Sequence, residues 1–417
     1  MTEPGARAPL RPTFLLAGFF FPATAFLLAA AVVAIINQFH GFVWAEWMTL
    51  HLALLGGVSQ LVVGAAQFFT SAFLATDPPP KWLVVTQIGV WNFGAVLVTI
   101  SLPIGTDWLA EAGGGLIVIG LFLFAAGLVT MKHRSLQTMN WAVRWYGSSA
   151  TFFLIGAIAG ISLAGGAIWQ SGSLLGAHMT LNLAGWLGTA IVGTLHTFFP
   201  SLTGTRLRYP LLERYVFAAW LAGVVLLASG LGFDLQLLAI CGWLAFGFAA
   251  VLLSVNLIAS LLANSKPLPI SATLITAGQL FLCAGIVVGL ISTLDEGVWA
   301  PFYSSDRQVL SILIVVGWVG MTVTGAVLHL MAILARVRSR FRFQVPSPDP
   351  LKDGLVVVLA GTGITGMAIA ETCGLADLQS LARVMTLIAA VILGSRYLVL
   401  AARAGLQRTS RPGDSKP

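Results

Sequence analysis

Twelve stretches of this sequence are apolar and within the length range of a membrane-spanning helix, and no other feature narrows the fold so far. They lie near 13–37, 47–75, 82–102, 113–131, 148–167, 173–200, 214–230, 233–262, 268–292, 307–334, 354–370 and 376–402. A helix needs about 20 apolar residues to cross the hydrocarbon. In that medium each backbone N–H and C=O must be satisfied within the chain, which a helix does by itself. Proline and glycine gather between the stretches, as in Asp77-Pro78-Pro79-Pro80 and Pro346-Ser347-Pro348-Asp349-Pro350. The expectation is an all-α integral membrane protein of about twelve transmembrane helices. It forms a single polytopic domain over 1–417 with short tails at 1–12 and 403–417. Charged residues make up 9% of the chain, against roughly 25% in a soluble domain, too few to cover a water-facing surface.

The net charge of +7 would suit nucleic acid if the cations were clustered, but they sit in short runs between apolar stretches. With the N-terminus placed in the cytoplasm, Arg307 is the one cation of the outer loops, and Arg383 and Arg396 fall within the last helix. The remaining lysines and arginines are on the inner side. The outer loops are acidic, with Glu46, Asp107, Glu111, Asp234, Asp295, Glu296, Asp306, Glu371 and Asp377. Positive-inside bias sets orientation, so both termini are expected in the cytoplasm and the chain in a plasma (inner) membrane, with lipid as partner and no nucleic acid. The run Arg336–Arg342 reads as a topology anchor, or as a site for a partner or lipid headgroups. Cys241, Cys283 and Cys373 have no close cysteine neighbour and read as small core residues. The first apolar stretch is too long for the core of a cleavable signal.

The second, sixth and tenth stretches resemble one another. They read His51-Leu-Ala-Leu-Leu-Gly-Gly-Val-Ser-Gln60, then His178-Met-Thr-Leu-Asn-Leu-Ala-Gly-Trp-Leu-Gly188, then Gly317-Trp-Val-Gly-Met-Thr-Val-Thr-Gly325. The shared elements are the Gly-Trp-x-Gly step, a later glycine and histidines near the ends. This predicts three pseudo-repeated four-helix arcs, an arrangement in which sites tend to form where repeats meet.

No lysine, Asp or Glu lies deep in a stretch, which speaks against a proton-coupled transporter. The histidines are the unusual polar groups. His51 and His178 begin their helices at the outer side; His196 and His329 end theirs at the inner side. At 3.6 residues per turn, His178 and His196 share one helix face, with Asn182, Gly185 and Thr189 between them. Neutral imidazole ligates haem iron or copper, so His51 with His178 forms a candidate outer site, and His196 with His329 a second, inner one. Arg383, at the outer start of the last helix, suits a haem propionate through a bidentate contact or the lipid headgroups. Asn182, Gln60 and Gln67 are expected to bond across helices. The alternative for each histidine is an interfacial side chain bonded to water or backbone.

These features resemble subunit I of haem–copper oxidases and nitric oxide reductases. Ala177-His178-Met179-Thr180-Leu181-Asn182-Leu183-Ala184-Gly185-Trp186 looks like the sixth-helix pattern of the smaller members, and His196-Thr197-Phe198-Phe199-Pro200-Ser201-Leu202-Thr203-Gly204 continues it. The chain is also similar to the NnrS-type membrane proteins associated with haem, copper and nitrosative stress. The resemblance implies that His51 matches a low-spin haem ligand, that His178 stands where the sixth helix supplies copper, and that Arg383 stands among propionate-binding arginines. It departs from the oxidases at two places. The seventh stretch, 214–230, holds no histidine, and the outer start of the tenth carries Arg307-Gln308-Val309 in place of a His-x-His. A complete binuclear centre is therefore not expected, nor is oxygen or nitric oxide reduction. What remains is a divergent relative that binds haem b or copper, for electron transfer or for handling copper or nitrogen oxides. Its partner would be an electron-transfer protein or a periplasmic or extracellular copper protein. A cofactor-free transporter and a structural membrane subunit are the rival readings.

Overall fold

The computed structural model describes residues 10–137, 141–166, 171–303, 305–339 and 348–405. Among these residues the ordered elements are helices and no strand occurs. Eleven helices are long and apolar enough to cross a membrane. They are α1 (Pro12–His40), α2 (Ala45–Phe73), α3 (Lys81–Ser101), α4 (Asp107–Arg134), α5 (Trp141–Ala164), α7 (Leu212–Phe233), α8 (Gln236–Ala263), α9 (Ile270–Glu296), α10 (Asp306–Arg338), α11 (Pro350–Cys373) and α12 (Ala376–Gly405). The helical run 171–203, α6, falls between α5 and α7. The chain is thus a multi-span helical membrane protein. Of the arginine run at 336–342, Arg340 and Arg342 lie outside the described residues.

Local chemistry explains where the helices start and stop. Pro12 and Pro350 each open a helix within its first turn, where a missing N–H costs nothing. Asp349 caps α11 by accepting from the Lys352 N–H at 3.2 Å. This exposed carboxyl is held below its usual range by its hydrogen bonds and charge contact with Lys352. Gly374 ends α11 in the left-handed conformation, at φ 67°, where glycine carries no Cβ penalty.

The chain forms two compact units, one of residues 1–194 with 220–242, the other of 195–219 with 243–417. Both are built from one recurring packing motif. In the first unit Phe26 of α1 lies over Gly56 of α2, and Phe152 of α5 over Gly185 of α6. In the second, Phe281 of α9 lies over Gly317 of α10. A methyl group added at Gly185 or Gly317 would meet the phenylalanine at 2.7 or 2.6 Å. Eight residues further along each of these helices comes a second glycine, Gly64, Gly193 and Gly325, each against the same neighbouring helix. In each repeat the helix also opens into a π-helical stretch at the same place: His51–Val58, Leu181–Gly188 and Ile312–Gly320.

The wider turns release carbonyls from the ordinary ladder, and tryptophans use them. Trp91 of α3 donates to Leu55 O at 3.1 Å, and Trp220 of α7 donates to Ala184 O at 3.1 Å. The repeat anticipated from the Gly-Trp steps is therefore present as a repeated set of contacts. The third and fourth helices of the repeats also meet at small residues. Gly113 abuts Gly94 and Val98, Gly242 abuts Leu227, and Gly363 abuts Ala382 and Thr386.

Four uncharged polar residues of the first unit, Gln60, Gln67, Gln87 and Asn92, bond across helices. Gln60 and Asn92 exchange two bonds of 3.2 Å, joining α2 to α3. Gln67 donates to Gln87 at 3.0 Å, and Gln87 passes on to Gly120 O of α4 at 3.2 Å. Gln60 and Gln67 thus do what the sequence suggested. Asn92→Leu is expected to cost about 1–2 kcal/mol, because it strands half of the Gln60 amide in a dry interior. The Gln60→Leu/Asn92→Leu double variant should recover part of this loss in a detergent unfolding titration. Strict additivity of the two single variants would remove the pair from the account.

Candidate functional site

Of the six histidines in the chain, two, on α2 and α6, come within electrostatic reach of each other. His51 lies at the start of the π-helical stretch of α2, and His178 in the second turn of α6, just before its own. Both side chains are half-buried, and the two imidazoles are near enough to interact electrostatically. The helices that carry them are tied by the buried Trp186 of α6, whose indole N–H donates to Ser59 Oγ of α2 at 2.8 Å. Trp186 is itself clamped, stacked on Phe153 at 4.8 Å with Phe124 edge-on at 6.0 Å.

Each imidazole is fixed by a backbone carbonyl. His51 Nδ1 lies 2.9 Å from Trp47 O, one turn earlier on its own helix. His178 Nδ1 lies 2.8 Å from Gly156 O of α5. A carbonyl only accepts, so both Nδ1 atoms carry the proton. Asn182 Nδ2 also approaches His178 Nδ1, at 3.2 Å, and His178 O, at 2.7 Å. Two donors cannot bond each other, so the Asn182 amide is spent on the carbonyl. The consequence is the same for both rings: Nε2 keeps its lone pair. An imidazole with Nδ1–H on a carbonyl and Nε2 free to donate its pair is the form that ligates metals, the carbonyl fixing its orientation and raising its basicity.

Glycines make room for this arrangement. A methyl at Gly160 of α5 would fall 2.6 Å from His178 Cε1, and one at Gly156 would fall 2.7 Å from Asn182 Nδ2. His178 and Asn182 therefore lie in a groove cut by Gly156 and Gly160, a small-xxx-small step of the kind that lets helices approach closely. On the α2 side, Trp47 lies against the His51 ring, with ring centroids 3.7 Å apart and planes tilted by 30°. Among the described residues no group of three or more His, Cys, Asp and Glu comes together. The histidine donors that the site offers are the two imidazole nitrogens.

The other expected residues belong to the second unit. His196 and His329 both belong to the second unit, where His196 is buried and His329 half-buried. The ring against His329 is Phe198, edge-on at 5.5 Å. Arg383 is exposed on α12, also in the second unit. Two details of the sequence reading change. The 3.6-residue register does not run through 181–188, because that stretch is π-helical, so the spacing of His178 and His196 no longer places them on one face. Asn182 bonds within its own helix instead of across helices. Aligned on Gly56, Gly185 and Gly317, moreover, His51 corresponds to Thr180 and Ile312, and His178 to Thr49 and Leu310. The two histidines are neighbours but not equivalents.

Trp47, Gly156 and Gly160 did not emerge from the sequence as site residues. Their signals were there: a tryptophan four positions before His51, hence on its face, and a Gly-x-x-x-Gly step in the stretch preceding His178. The sequence matches no known family model and no curated protein.

Proposed function

We propose that the chain is a membrane-embedded haem- or copper-binding protein in which His51 and His178 ligate one group. The observation that carries the reading is the shared state of the two rings, each with Nδ1–H on a carbonyl and the Nε2 lone pair available. A pair of neutral imidazoles is a donor set for a six-coordinate haem iron, and imidazole also suits copper. Structural zinc takes four protein ligands, twice what this pair offers. When bound, the group would supply one-electron redox chemistry. The protein would hold it through His51 and His178, whose rings are oriented by the Trp47 and Gly156 carbonyls. Electron transfer, or handling of copper or nitrogen oxides, follows better than oxygen or nitric oxide reduction. Two histidines that saturate an iron leave no open position for a diatomic substrate, and the sequence lacks the further ligands of a binuclear centre. The likeness to haem–copper oxidase subunit I supports the same reading.

In this proposal both termini are cytoplasmic in a plasma (inner) membrane, which puts His51 and His178 at the outer side, within reach of an external electron-transfer or copper protein. Arg383 is kept as a candidate contact for a propionate, and His196 and His329 as candidates for a second site. The test is the purified protein itself. Its absorption spectrum should show a Soret band with the sharp α and β bands of a reduced low-spin haem, at one haem per chain, or else copper at one equivalent. A colourless protein that takes up neither on reconstitution would leave a cofactor-free transporter or structural subunit.

A further inference from the structure

The surroundings of the two histidines contain hydrogen-bonding capacity that the protein itself does not use. Trp47 Nε1 is enclosed by protein atoms and has no hydrogen-bond partner. The hydroxyl of Thr180, two residues beyond His178, is likewise buried and without a partner. A buried polar group left unpaired costs about 1–3 kcal/mol, and such groups are few in native proteins. The unpaired Trp47 N–H, on the residue whose ring lies against His51, marks a place where something else completes the bonding.

Trp47 says what kind of group that is. An indole N–H donates and never accepts, so its missing partner is an acceptor. Trp47 is also bound to the site twice over, through the contact of its ring with His51 and through its carbonyl on His51 Nδ1. Its indole therefore cannot swing away to find a partner elsewhere without disturbing the ligand. A bare metal ion presents no acceptor to an N–H; an iron porphyrin with carboxylate arms does.

We infer that the group held by His51 and His178 bears a carboxylate, and that the Trp47 indole N–H is its donor, which selects an iron porphyrin over copper. The inference rests on the two-histidine site proposed above and goes beyond it by naming the ligand's chemical class and the residue that reads it. Trp47 is here a binding residue, and its contribution is separable from that of the axial ligands.

The experiment uses full-length protein expressed under haem limitation and purified in detergent. It is titrated with iron protoporphyrin IX, with the dimethyl ester of that porphyrin and with copper salts, and followed by Soret absorbance or metal retention. Trp47→Phe keeps a ring against His51 and removes only the N–H. A hydrogen bond to a charged acceptor contributes about 1.5–3 kcal/mol, so the wild type should bind the diacid about 10- to 100-fold more tightly than the ester. Trp47→Phe should bind both porphyrins with the ester's affinity. His51→Ala should lose both.

If wild type binds diacid and ester equally, the inference is overturned while the two-histidine site stands. A Trp47→Phe protein that keeps the full preference for the diacid overturns it too. Copper bound tightly by a wild-type protein that binds neither porphyrin overturns the inference and leaves a metal site. Wild-type protein that binds none of the three overturns both readings. Should Trp47→Phe fail to fold, the resonance Raman indole N–H band of wild type decides, since a shift with diacid but not with ester supports the donor and no shift removes it.

Discussion

Purified His51→Ala and His178→Ala proteins are expected to lose their bound haem or copper entirely, while eluting from gel filtration as wild type does. Neither side chain is a core filler; both are half-buried, and each is held by one carbonyl. Removing either imidazole leaves one ligand where two are needed and an unsatisfied metal face in an apolar setting. A companion substitution makes the same point without touching a ligand. Leucine at Gly160 puts a branched side chain where the His178 ring lies, since a methyl alone would sit 2.6 Å from Cε1. It should displace the imidazole and empty the site. Cofactor content per chain is the readout. Full retention in both alanine variants would dismiss the outer site.

A large effect on stability is expected at the contact between α3 and α4. A methyl at Gly113 would lie 2.8 Å from both Gly94 O and Val98 N. Those are backbone atoms of a packed helix, which cannot turn aside as a side-chain end can. Overpacking of this sort costs about 1–3 kcal/mol for small additions, so Gly113→Ala should lower the unfolding midpoint clearly. Gly113→Leu should give little or no monodisperse protein. Gly115, two residues on, has nothing within 4 Å of an added methyl, and Gly115→Leu should behave as wild type. Equal behaviour of the two leucine variants would mean that α3 and α4 do not meet at Gly113.

The helical membrane class was readable because hydrocarbon permits few solutions, and long apolar runs announce themselves. The repeat was half readable. The Gly-Trp steps at Gly185 and Gly317 are visible in one dimension. The phenylalanines that cover the glycines, Phe26, Phe152 and Phe281, sit on other helices and become equivalent only once the helices pack. Pairing His51 with His178 followed from their positions at the same ends of their helices, which a zigzag topology brings to one side. What periodicity could not give was the π-helical register at 181–188, because helical spacing was counted at 3.6 residues per turn throughout. The proton on each Nδ1 was likewise out of reach. It depends on a carbonyl from another helix, Gly156 O, and on a tryptophan one turn back, Trp47 O.

The repeated glycine contacts bear on how such a chain can change over time. Backbone register is copied three times at Gly56, Gly185 and Gly317, whereas the positions of the two histidines vary freely among the copies. His51 answers to Thr180 and Ile312, and His178 to Thr49 and Leu310. The repeated frame therefore does not dictate the side chains at these positions, and one repeat can carry an imidazole without a matching change in the others. The same logic makes the third copy a ready host. Ile312 and Leu310 occupy, on and just before a π-helical stretch of the same type, the places where imidazoles stand in the first two, and a new binding function could be installed there by side-chain replacement on a backbone that already exists.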